Sequence, residues 1–287
     1  VHRRIDHLVV AVRDLEQAAA FYKNLGFQVG ARNVHPWGTE NHLIQFDNSF
    51  IELIAMGEGA QIEPHADELF SFGAFVEHYL QHREGLAMFV LASDSARSDA
   101  DRFANDGIGF FHPFFFSRAG QKPDGSPTEV AFTLAFAEDK SAPYAGFFVS
   151  QHHFPENFWN SDFQMHPNGA QGIRSVALSS ATPDAQAAFL ERFTGVEGER
   201  PAGHDYTFRL DGSHLDVLTP DDAGEVFGSV EAEMDSPSFV ALSIRTPSID
   251  DQAERLDQAA IPYLKIGSRL VVPASVAFGV AIAFEPD

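Results

Sequence analysis

The chain repeats one plan four times, and that recurrence constrains its fold more than any other feature: a short apolar strand, a capped helix, then strands separated by turn residues. In the first copy IDHLVVAV (5–12) is apolar on both faces, as a strand covered on both sides must be. Asp14 caps the following helix, and Gln17, three residues on, completes a capping box. Leu15, Ala18, Tyr22 and Leu25 fall at helical spacing and Gly26 ends the run. Strands are expected at 27–34, 41–47 and 50–56, the last two joined through Asp47, Asn48 and Ser49 in a tight hairpin.

The second copy begins at LAMFVLAS (86–93), with a helix from about Asp94 to Gly107 and strands at 109–117, 130–137 and 146–154. Its loop RAGQKPDGSPTE (118–129) carries the Gly, Pro and Asp of an exposed turn. Between these copies, residues 64–83 place Leu69, Phe72, Phe75, Val76 and Tyr79 on one side of an inserted helix. The third copy starts at IRSVALSS (173–180), with Thr182 and Pro183 as N-cap and N1 of a helix that Gly195 closes. Its hairpin is YTFRLDG (206–212) and HLDVLTP (214–220). The fourth starts at FVALSIRT (239–246), has Ser248 capping a helix that ends before Pro262, and finishes in FGVAIAFEP (278–286). His7 and Glu52 lie 45 positions apart, and the matching Ser175 and Asp216 lie 41 apart. Four βαβββ modules make an α+β fold of mixed sheets with helices on one side. Pro155, Pro167, Asn168 and Gly169 mark 155–172 as the linker, so two paired-module domains are expected at 1–158 and 159–287.

Composition removes several function classes. With 41 acidic against 19 basic residues the formal charge is −22, which repels phosphate backbones and anionic membrane surfaces. No apolar run approaches the roughly 18 residues that span a bilayer. Residues 1–6 are charged and lead straight into a strand, which leaves no room for a signal peptide, so a cytoplasmic location is expected. There is no cysteine, and hence no disulfide, thiolate ligand or thiol nucleophile. No GxSxG elbow, P-loop or dinucleotide fingerprint is present. The 28 phenylalanines suit either core packing or an apolar cavity for an organic ligand.

The stretch IDHLVVAVRDLEQAAAFYKNLGF (5–27) resembles the opening of glyoxalase-type, or vicinal-oxygen-chelate, proteins, and FIELIAM (50–56) resembles their fourth strand. The segment DGSPTEVAFTLAF…GFFVSQHHFPENFW…HPNGA is similar to a glyoxalase-like-domain subgroup. The resemblance implies a cupped sheet with a divalent metal (Zn, Mn, Fe(II), Ni or Co) held by first- and fourth-strand residues. His7 and Glu52 match two such ligands. The second module's positions fall on Met88 and near Ser150, so His152, one alternation step along, is the expected third ligand, with His153 competing. Met88, His112, Arg118, Phe148, Ser150 and His153 are candidates to line the substrate cavity. In the second half Ser175, Asp216, Val240 and Ala283 stand at the ligand positions, three of them non-coordinating. This argues against a two-domain extradiol dioxygenase, whose iron sits in the second half, and makes residues 159–287 a structural partner.

Two functions follow. One is an enzyme that uses the metal as a Lewis acid on a small, oxygen-bearing substrate, stabilising an enolate in isomerase, lyase or oxygenase chemistry, with Glu52 as base. The other is a metal-free protein that sequesters apolar small molecules in the same cup. His35, His42, His65, His78, His82, His204 and His214 are expected at the surface, and Gln45 faces either the pocket or a helix. Modules can pair within one chain or across a homodimer.

Overall fold

The computed structural model describes residues 3–121, 126–201, 205–228 and 236–286. The first module comprises β1 (Ile5–Ala11), α1 (Leu15–Asn24), β2 (Asn33–Val34), β3 (Thr39–Gln45) and β4 (Phe50–Met56). Helix α2 (Phe72–His82) precedes the second module of β5 (Gly85–Ala92), α3 (Ala96–Asn105), β6 (Phe114–Gln121), β7 (Pro127–Ala137) and β8 (Gly146–His152). A connecting segment carries the short α4 (Pro155–Phe158). The third module is β9 (Gly172–Ser179), α5 (Pro183–Thr194), β10 (Tyr206–Arg209) and β11 (His214–Leu218), followed by α6 (Pro220–Phe227). The fourth is β12 (Ser238–Arg245), α7 (Ile249–Gln258), β13 (Leu264–Ile266), β14 (Arg269–Val272) and β15 (Ala281–Glu285). Among the described residues no helix is long and apolar enough to cross a membrane.

An eight-stranded sheet runs β2-β3-β4-β1-β5-β8-β7-β6 and a seven-stranded sheet runs β10-β11-β9-β12-β15-β14-β13. In each module the last strand lies parallel to the first, and paired modules meet antiparallel, β1 on β5 and β9 on β12. Each junction carries a bulge in both strands, leaving Asp6 and Ala87 unpaired in one sheet and Arg174 and Val240 in the other. These registers equate His7 with Met88 and Glu52 with Phe148, where Ser150 was expected. In the second half they equate Met88 with Ala241, one residue beyond the expected Val240.

Helix starts follow the caps: Asp14, Ser71, Ser95 and Ser248 each accept a backbone N–H from the first turn. Thr182 stands at the N-cap of α5 without a side-chain bond, and Pro183 begins the helix. Strand limits depart further from expectation. Of 27–34 only Asn33–Val34 is strand, and the second module's second strand runs 114–121 in place of 109–117. The expected turn at 118–129 is partly strand, with residues 122–125 outside the described set. The inserted helix is shorter than 64–83, and Leu69 is left exposed before it.

The two sheets share one core, packed through α1, α3, α5 and α7. Phe193 of α5, fully buried, stands at its centre, with ring centroids 5.4 Å from Phe147, 5.6 Å from Phe103 and 6.3 Å from Phe89. Phe193→Ala is expected to cost ~3–5 kcal/mol. Calorimetry should show one transition moved to lower temperature, because the cavity opens between both halves; two separated transitions would contradict a shared core.

The outer faces are cups, and they differ. In the second, Ala223 and Phe227 of α6 pack on Ala177, Val240, Ala241 and Ala283 and fill the concavity. In the first, α2 covers the cup with Phe72, Phe75, Val76 and Tyr79 but leaves space beneath.

Candidate active site

Alternation along the strands selects what faces this space. Phe50, Glu52 and Ile54 of β4 point into the first cup, while Ile51, Leu53 and Ala55 point into the shared core. The cavity is about 50 Å³, and its polar lining is His7, His35, Asn41, Glu52, Arg118 and Ser150. A larger space of about 310 Å³ shares Leu43, Arg118 and Phe158 with it and forms a vestibule.

Glu52 is the hub. Its Oε2 lies 3.8 Å from His7 Nε2, and its Oε1 accepts the Asn41 amide at 2.5 Å and lies 3.6 Å from His35 Nε2. His7 stacks on Phe50 at 4.3 Å and meets the edge of Phe148. His35 stacks on Trp37 at 4.5 Å. His35 Nδ1 bonds Thr39 Oγ1 at 2.8 Å, and its Nε2 accepts from Asn41 at 3.2 Å, so this imidazole is the neutral Nδ1–H tautomer. Burial pushes its pKa down, against the pull of Glu52. Burial also draws the Arg118 guanidinium down, Glu52 opposing, but the group stays cationic at neutral pH. Arg118 donates to Asn33 Oδ1 at 2.5 Å and so is fixed in the wall between cavity and vestibule.

Behind His7 stands a group that strand alternation conceals. The bulge turns Asp6 to the side of its neighbour, where its carboxylate accepts from His7 Nδ1 at 2.8 Å and lies 3.0 Å from His152 Nε2. Asp6 is fully buried; burial alone raises its pKa, but His152 and then His7 hold it well below the usual carboxylate range.

Not all expected site residues meet here. His7, Glu52, Arg118, Phe148 and Ser150 line the cavity, and Met88 is buried in the same face. His152 is spent on Asp6, stacks on Trp159 and borders a separate groove with Ser150. His153 bonds Thr133 at 2.7 Å on the exposed side. His112 is exposed and pairs with Glu68 at 3.2 Å. Conversely, His35 and His42 are buried rather than at the surface, His42 facing α1 through Glu16. His204 lies outside the described residues. Gln45 lines the vestibule and not the inner cavity. Its amide donates to the Phe158 carbonyl at 2.9 Å and its Oε1 accepts from Asn160 N–H at 3.3 Å. His166 adds a bond to the Gln45 carbonyl at 2.8 Å. The expected linker is therefore a strap that brings Phe158 over the cup.

A divalent ion at His7 and Glu52 needs further donors from the facing module. Those positions are Met88 and Phe148, and a Cβ on Gly146 would come within 2.6 Å of Met88 Cγ, so Met88 lies over Gly146. His35 approaches Glu52, but the Asn41 amide bridges the two. Among the described residues no three His, Asp or Glu side chains group to hold an ion. The donor set does not fit a protein-held metal, and the expected His7–Glu52–His152 site is not formed.

Known proteins bear on this arrangement at the level of fold. A hypothetical protein from Staphylococcus aureus superposes with a TM-score of 0.68 at 12% identity, covering 99% of this chain and 100% of its own. A mutant of 4-hydroxymandelate synthase from Streptomyces coelicolor gives 0.63 at 12% identity, over 99% and 92%. A xylose isomerase-like TIM barrel/4-hydroxyphenylpyruvate dioxygenase fusion protein gives 0.51 at 14%, over 92% of this chain and 40% of that one. Among curated proteins none matches. Residues 5–194 match the family described as a glyoxalase-like domain, a span that holds every residue of the cavity, and the chain belongs to that family.

Proposed function

We propose that the first cup is the active site of an isomerase or lyase that removes a proton beside a carbonyl or carboxylate oxygen of a small, partly apolar substrate. The observation that carries this is Glu52, a carboxylate 5% exposed in an aromatic-walled cavity that also holds a fixed cation, Arg118, from the facing module. About 50 Å³ admits only a few heavy atoms, which suits a reactive head group, while the vestibule takes an apolar remainder against Leu43, Val130 and Phe158. The sequestration reading needs a larger apolar chamber than this charged inner space supplies.

Glu52 accepts the proton, and Arg118 balances the charge that develops on the substrate oxygen. His7 Nε2, 3.8 Å from Glu52, is the second seat for that proton, because Asp6 holds Nδ1 as donor and leaves Nε2 with its lone pair toward the cup. Phe158 and the strap exclude water from the reacting atoms. The second half, with Ser175, Asp216, Ala241 and Ala283 at the matching places and α6 filling its cup, serves as scaffold in this reading.

The test is proton NMR in D2O with a panel of small α-hydroxycarbonyl and catecholic compounds. Wild type should catalyse exchange of the C–H beside the oxygen in at least one. Arg118→Met should raise KM and lower kcat, together reducing kcat/KM by ~10²–10³. Binding of these compounds with neither exchange nor conversion would favour sequestration instead.

A further inference from the structure

We infer that the Asn41 side-chain amide stands in the place of the divalent cation that the family resemblance leads one to expect, so that Glu52 is satisfied without a metal. Its Nδ2 is 2.5 Å from Glu52 Oε1 and 3.2 Å from His35 Nε2, and those two acceptors are 3.6 Å apart. An NH2 group has two hydrogens for two acceptors, and a cation there would compete for the same lone pairs. The positive charge that a buried carboxylate calls for comes from Arg118 on the facing module, while that module's ligand positions hold only Met88 and Phe148.

An independent observation comes from the second cup, which repeats the device with different residues. Asp216, at the place of Glu52, accepts from Thr207 of the neighbouring strand at 2.6 Å, and His214 Nε2 lies 3.3 Å from its other oxygen. In both halves, then, a polar side chain on the strand beside the fourth strand caps the carboxylate. Asn41 acts through Glu52 and His35 and is a positioning residue.

The inference rests on the first cup being the functional one, and metal titration tests it separately from turnover. Untagged wild type should carry no stoichiometric divalent ion and should bind Zn2+ and Co2+ no tighter than ~100 µM. Asn41→Asp exchanges the donor for an acceptor and should bind one equivalent of Co2+ roughly 100-fold more tightly, with a visible d–d band, and His35→Ala in that background should abolish it. Should Asn41→Asp not fold, Asn41→Ser, which removes the bridging amide, is expected to gain ~10-fold in ion affinity. A wild-type protein holding one ion that His7→Ala loses would overturn the inference. So would a folded Asn41→Asp with no affinity for either ion. Missing solvent exchange alongside the expected titrations would sink the proposed reaction and leave this inference standing.

Discussion

Glu52→Gln is expected to lower turnover about 10³-fold while substrate binding changes only a few-fold, within the 10²–10⁴ that positioned general bases contribute. The change is chemically narrow. A glutamine oxygen can still accept the Asn41 amide, so the cavity keeps its packing, its stacked imidazoles and its Arg118 wall. Only the proton acceptor is lost. Glu52→Asp keeps the acceptor but draws it back by about 1 Å, and a misplacement of that size costs ~10². The order wild type, aspartate, glutamine in kcat, with near-equal dissociation constants by calorimetry, is therefore the expected signature. Retention of more than a third of wild-type kcat by Glu52→Gln would remove Glu52 as the base, and a large loss of binding would recast it as a substrate anchor.

Much of the fold was legible because its local signals agree with its tertiary demands. Asp14, Ser248 and Gly195 end helices where capping chemistry requires, and IDHLVVAV is apolar on both faces because helices cover one side and the cup the other. The misread stretches are those where composition and backbone pairing part company. Residues 27–34 have strand-like side chains, yet the bond of Gly30 to Leu43 starts no ladder and pairing is confined to Asn33 and Val34. The Phe run at 109–117 is apolar because it covers the cup's rim, and pairing starts only past Pro113. Residues 155–172 carry the prolines of a linker, but Phe158, Trp159 and His166 dock on the first sheet.

At the site, His7 and Glu52 were readable because alternation is regular from the first onward and around the second, with His7, Val9 and Ala11 on the cup face of β1 and Phe50, Glu52 and Ile54 on that of β4. His35 was not, since HPWGT has the composition of a surface turn, and neither was Asn41, which alternation along β3 sets on the cup face with Leu43. His152 failed as a third ligand for a reason that periodicity does not contain. It shares its face with Phe148 and Ser150 as expected, but the bulge supplies Asp6 as a nearer partner. A bulge moves one side chain across a sheet without changing the apolar pattern, so a buried acid beside a strand histidine is its one trace in the sequence.

That acid carries the second large effect. Asp6→Asn is expected to lower stability by ~3–5 kcal/mol at pH 7, because it breaks a fully buried pairing with His7 and His152 and turns an amide toward one of them. The pH dependence follows from the depressed carboxyl. Its ordinary value is 3.8 and its folded value is lower, so the wild-type advantage is fully present above the unfolded value and is lost as pH falls through the folded one. His35 acts in a different window. Its folded pKa lies below its ordinary 6.5, so the unfolded chain takes up protons first and stability declines as pH drops below about 6.5. This decline is common to both proteins and cancels in their difference. Denaturant unfolding from pH 8 to pH 3 should therefore give a wild-type minus Asp6→Asn gap that is flat down to about pH 5 and shrinks below pH 4. A gap that instead widened as pH fell from 7 to 6 would assign the stabilisation to an imidazole that gains its proton in the folded state and not to the Asp6 carboxylate.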